Sequence, residues 1–189
     1  SYNSVFTYLR SGYIYEKNDN IISRINPEDI DLLDVYVTAH GIKGKKAWFS
    51  DWTDAGETIF DDVLENRHRD EYDLEKLNEL RKKIIAPFIT FSENKGRTAL
   101  AIATAVYGFM CDINLYDGII FECEELDKLG MKNESQQIKQ IWNTVLECLN
   151  QVVITAGKGS ISRENFALYL KSGLSACELS IIPPGLDRV

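Results

Sequence analysis

The stretch ESQQIKQIWNTVLECLNQVVIT, residues 134–155, decides the fold. Ile138, Ile141, Val145, Leu149 and Val152 recur at steps of three, four and seven, which gathers them on one face of an α-helix. Gly157 and Gly159 end this helix, and Ser162 is an N-cap for another, with Glu164 in its first turn and Phe166, Leu170 and Leu174 at helical spacing. Upstream, residues 116–129 read as a helix stopped by Gly130. ALAIATAVYGFMCD (99–112) reads as a helix opened by Thr98, its small residues predicting close packing.

The same reading extends to the start of the chain. Residues 4–11 form a short helix with Val5, Phe6 and Leu9 on one side, stopped by Gly12, and Asn18 to Asn20 make a polar turn. Asn26 as N-cap, Pro27 at the first helical position, and Glu28 and Asp29 in the first turn start a helix of about fourteen residues. Ile30, Leu33 and Val37 form its stripe, and Gly41 closes it. A longer helix starts near Leu74 and carries Leu77, Leu80, Ile84, Ile85 and Phe88, with Pro87 expected to kink or end it. Between them, residues 42–58 lose periodicity and read as one long Gly/Lys/Trp loop. About seven helices and almost no strand alternation predict a single all-α domain over residues 1–189, without internal repeats.

Of 189 residues, 44% are hydrophobic and 26% charged, the balance of a folded chain with a core of its own. The net charge of −8 disfavours a whole surface that grips nucleic acid or anionic membrane, but leaves room for a local basic patch. The uncharged stretch 98–111 is too short and polar for a membrane span. Cys111, Cys123, Cys148 and Cys177 never form a C-x-x-C pair and sit in helical patterns beside apolar residues. They read as reduced, structural thiols of a cytoplasmic protein and not as metal or iron–sulfur ligands.

His40, in the last turn of its helix, suits the exposed carbonyls there, and His68 lies in the charge run Arg67-His68-Arg69. The acidic clusters Asp61-Asp62, Asp70-Glu71 and Glu122, Glu124, Glu125 have no calcium-loop frame, so no metal site is expected. Neither a phosphate-binding loop nor a nucleophile elbow is present in the sequence. No catalytic, cofactor-binding or metal-binding residue is assigned.

The constellation that could carry chemistry is Lys43, Lys45 and Lys46 beside Trp48 and Trp52. Lysines neutralise phosphates and indole rings stack on bases, so this set is the first candidate for DNA contact. The competing and preferred reading has the tryptophans plug the loop into the helical core while the lysines face water. Arg81, Lys82 and Lys83 form a second candidate group, whose default reading is a solvated helix face.

Four segments taken together resemble one family. SVFTYLRSGY (4–13), EDIDLLDVYVTAHGIKGKKAW (28–48), QIWNTVLECLNQV (140–152) and SRENFALYLKSGLSACELSIIPPGLDRV (162–189) are similar, in order, to the AddB/RexB family, the B subunit of the bacterial ATP-dependent helicase/deoxyribonuclease. Lys43 stands where that family more often has arginine, and Gly185 where other residues are common. The resemblance implies a helical accessory domain inserted in the second RecA-like motor lobe, with residues 1–15 and 180–189 connecting to motor-lobe parts outside this chain. The turn at Pro183-Pro184-Gly185, with so little sequence after it, agrees with a piece of a larger protein.

Members of the family pair with a motor-nuclease partner subunit, process double-strand DNA ends for recombinational repair, and use ATP, Mg and an iron–sulfur cluster. None of the family's nucleotide, nuclease or cluster residues maps onto this chain. The expected function is therefore a non-catalytic module that scaffolds the motor lobes or the motor-nuclease partner and contacts DNA. The alternative is a free-standing helical protein-interaction domain.

Overall fold

The computed structural model describes residues 2–18, 21–53 and 73–181. The chain divides into two compact units, residues 1–90 and 91–189. The protein is all-α apart from one small hairpin, with eight helices among the described residues.

In the first unit, α1 (Tyr2–Leu9) leads to the antiparallel strands β1 (Tyr15–Asn18) and β2 (Ile21–Arg24), which pair Tyr15 with Arg24 and Asn18 with Ile21. Strands of four residues are too short to show a two-residue period, so the sequence betrayed this hairpin only through its polar turn, of which Asp19 and Asn20 lie outside the described residues. Next, α2 (Pro27–Ala39) starts where expected: the Asn26 side chain accepts a 3.0 Å hydrogen bond from Glu28 N. Gly41, at φ +59°, ends it. Gly41 N donates to Thr38 O at 3.3 Å and Ile42 N to Val37 O at 2.9 Å, a Schellman closure that a Cβ at residue 41 would strain.

Residues 42–53 are not all loop, because α3 (Gly44–Phe49) forms within them; residues 54–58 of the expected loop lie outside the described residues. At six residues, α3 is too short to have shown a helical repeat in the sequence. The helix α4 (Leu74–Glu93) runs past Pro87 and is not ended there. A mid-helix proline costs about 3 kcal/mol. Ile84, Ile85, Phe88 and Ile89 on both sides of Pro87 pack in one core, and each buried aliphatic side chain returns about 2 kcal/mol. That core also takes Phe6 and Leu9 from α1, Leu33, Tyr36 and Val37 from α2, and Trp48 and Trp52.

The second unit comprises α5 (Ala99–Asp112), α6 (Leu115–Lys128), α7 (Lys132–Ala156) and α8 (Arg163–Ile181), with α7 packed against the other three. Thr98 caps α5, its side chain accepting from Ala101 N. The apolar stripe of α7 is one wall of a core that holds Ala99, Ile102, Ala103, Ile119, Cys123, Trp142, Leu149, Val152 and Phe166. Of the small residues of α5, Ala99 and Ala103 are buried in this core. The segment before α5 is tied to the start of α8, as Ile161 N donates to Arg97 O at 2.8 Å and Thr98 bridges to Ser160.

Among the described residues no single helix is long and apolar enough to cross a membrane. The bent pair α5 and α6 reaches that length and composition together, yet its Ile102, Met110, Ile119 and Cys123 are buried in the core of this unit.

Candidate nucleic-acid interface

Segment 42–53 is held on the first unit by side chains of α4. Buried Arg81 donates from Nη1 to Trp48 O at 2.9 Å and from Nε to Asn78 Oδ1 at 3.1 Å, and its Nη2 pairs with Asp51. Asn78 in turn donates from Nδ2 to Trp52 O at 2.8 Å, while its Oδ1 accepts from Trp52 N at 2.9 Å. The Trp52 indole N–H donates to Ala47 O at 3.0 Å. The segment's main-chain groups therefore meet fixed partners, as buried backbone requires.

The rings behind them form a continuous stack. His40 lies on Tyr36 with centroids 4.0 Å apart, Tyr36 on Trp52 at 5.0 Å, and Trp48 meets Trp52 edge-on at 5.6 Å. Phe6 extends the group, 6.2 Å from Trp48. His40 Nδ1 sits 2.9 Å from Tyr36 O, so its role is local: it occupies a carbonyl of the last turn of α2.

The eight candidate DNA-contact residues thus separate. Trp48 and Trp52 are 4% and 6% exposed, and Tyr36 stacks on Trp52, so the two indoles are buried in the core and offer little surface to a base. Arg81 is 1% exposed and spends its donors internally. Lys43, Lys45 and Lys46 are exposed on and beside α3, with Lys45 Nζ 5.0 Å from the Phe49 ring. On α4, Lys82 lies 3.3 Å from Asp51, and Lys83 3.3 Å from Glu16, both cations remaining more than half exposed.

Asp51 is thereby shared between Arg81 and Lys82, while the α3 lysines stand on a segment tied to α4 by hydrogen bonds. Sequence reasoning missed Asn78 and Asp51. Neither has a local signature, since their partners lie 26 and 30 residues away.

In the second unit a cleft is lined by Tyr107, Cys111, Asn114, Tyr116, Asp117 and Trp142. The Cys111 thiol pushes the Tyr107 hydroxyl up from its ordinary value by proximity and hydrogen bonding. Among the described residues no group of three or more His, Cys, Asp or Glu side chains could hold a metal ion. Glu122, Glu124 and Glu125 on α6 belong to no such group; Asp61-Asp62, Asp70-Glu71 and His68 lie outside the described residues. Of the four cysteines only Cys148 and Cys177 meet, and no group of three donors forms around them among the described residues, so this donor set does not fit an iron–sulfur cluster.

Fold and site together define an all-α protein in which a short lysine-bearing helix is fixed on an aromatic core. No family model matches the chain. Over its whole length, however, it is 35% identical to the B subunit of the ATP-dependent helicase/deoxyribonuclease of Clostridium novyi (strain NT), 32% to that of Clostridioides difficile (strain 630) and 31% to that of Clostridium acetobutylicum. The resemblance carried by the four segments is borne out: over its whole length the chain is similar to part of the B subunit of ATP-dependent helicase/deoxyribonucleases. It spans 15–16% of the length of these relatives.

Proposed function

We propose that this chain is a non-catalytic helical module of an ATP-dependent helicase/deoxyribonuclease that works in double-strand break repair and recombination. It scaffolds the motor lobes or the motor-nuclease partner, and its DNA contact is electrostatic, made through Lys43, Lys45, Lys46, Lys82 and Lys83. The observation that carries this reading is full-length similarity to the helicase/deoxyribonuclease B subunit in a chain whose described residues assemble neither a phosphate cradle nor a metal-ligand group. On this reading ATP, Mg and an iron–sulfur cluster belong to other parts of such a protein, since the described residues of this chain assemble no metal-ligand group.

The electrostatic half of the proposal rests on the split among the candidates. With both indoles and Arg81 used inside the fold, phosphate neutralisation by exposed lysines is the contact left to this surface, and it reads shape and charge without sequence. Incubating the purified chain with ATP, Mg²⁺ and linear duplex DNA tests the non-catalytic half. Both substrates should survive intact; ATP hydrolysis or DNA degradation that copurifies with the chain would refute it.

A further inference from the structure

Cys148 of α7 and Cys177 of α8 lie with their sulfurs 3.7 Å apart, in contact across two helices of the same unit. The two thiols differ in access, Cys148 being 6% exposed and Cys177 half-buried. Gly173, one turn before Cys177, leaves space at this contact: a Cβ there would sit 3.6 Å from Cys148 Sγ, and any longer side chain would crowd the sulfur. A disulfide needs about 2.0 Å between sulfurs, so closing the bond draws the two thiols together across α7 and α8.

We propose that Cys148 and Cys177 are a redox-active dithiol, a modification site that a hydroperoxide converts into a disulfide joining α7 to α8. The Cys177 thiolate attacks one peroxide oxygen, the O–O bond breaks, an alcohol leaves, and Cys177 becomes a sulfenic acid. Cys148 then attacks the sulfenic sulfur. The S–S bond forms as the S–O bond breaks, and the hydroxide departs as water with the proton Cys148 gives up. Two thiols and one hydroperoxide yield one disulfide, one alcohol and one water, with two electrons passing from sulfur to oxygen. Burial first, and the adjacent Cys177 second, hold the Cys148 thiol above its ordinary value, which suits a resolving thiol slow to meet oxidant itself.

Cys111, exposed beside Tyr107, and Cys123, whose thiol donates to Ser135 O at 3.4 Å, serve as internal controls. The test treats the full chain with hydrogen peroxide, alkylates the remaining thiols and maps the peptides by mass. The expected product is a monomer whose Cys148 and Cys177 peptides are joined and lighter by two hydrogens, with a thermal midpoint that rises on oxidation and returns on reduction. In the Cys177→Ser variant, Cys148 should remain alkylatable. Recovery of Cys148 and Cys177 as free thiols after wild-type treatment, or disulfides found only between Cys111 residues of two chains, would overturn the proposal.

Discussion

The Arg81 guanidinium lies 5.7 Å from the Trp52 ring centroid while one of its nitrogens donates to the main-chain carbonyl of Trp48. A residue that stands in a basic run is thus the clamp that closes segment 42–53 onto α4. Removing it strands the Trp48 carbonyl, leaves Asn78 Oδ1 with Trp52 N alone, and opens a cavity beside two tryptophans. Arg81→Ala should therefore lower stability by about 3 kcal/mol. Urea denaturation followed by tryptophan emission measures this; a change below about 0.5 kcal/mol, the range of an ordinary surface substitution, would contradict it.

A second stress point is the turn before α5. A Cβ on Gly96 would come within 2.4 Å of Ala101 Cβ, and Gly96 N already donates to Asn94 Oδ1 at 2.8 Å. The obstacle is a short side chain anchored on helix α5, which cannot swing aside. Gly96→Ala is expected to destabilise by about 1–3 kcal/mol. The companion change Gly159→Ala meets nothing within 4 Å and should be close to neutral, so the pair read by thermal denaturation separates close approach from general glycine effects.

At the start of α8, Ser162 Oγ accepts from Asn165 N at 3.1 Å, and the backbone N–H of Glu164, then Ser162, hold the Glu164 carboxyl below its ordinary value. Ser162→Ala should cost about 1 kcal/mol. A depressed carboxylate stabilises above its unfolded pKa and loses that contribution as the pH falls through the folded value. The stability gap between wild type and Glu164→Gln is therefore present at pH 7 and should shrink as the pH falls below the ordinary carboxylate range. A gap that stayed constant down to the acid transition would show that charge is not its source.

Much of this was legible because it is local. Asn26, Pro27 and Gly41 mark α2 through cap and φ requirements that need no distant partner, and Ile138, Val145, Leu149 and Val152 of the predicted stripe lie on the core face of α7, where Trp142 takes the place expected of the exposed Ile141. What escaped was short or long-range. The hairpin strands and α3 are shorter than the window in which a period shows. Pro87 sits inside α4 because core burial outweighs a local penalty, and Arg81 looks solvated until Asp51 and the Trp48 carbonyl arrive from thirty residues away. The candidate interface was accordingly visible in part: exposed lysines and buried indoles follow the preferred reading of residues 43–52, whereas the Arg81, Asn78 and Asp51 contacts that hold the segment are tertiary facts.

Titrating the chain with duplex DNA at a series of salt concentrations tests the central claim most directly. Electrostatic contact through the α3 lysines predicts weak binding at low salt that fades as salt rises, and a log–log salt slope about 3 units shallower when Lys43, Lys45 and Lys46 are all replaced by alanine. No binding at low salt, or the same affinity and slope in the triple variant, would contradict it.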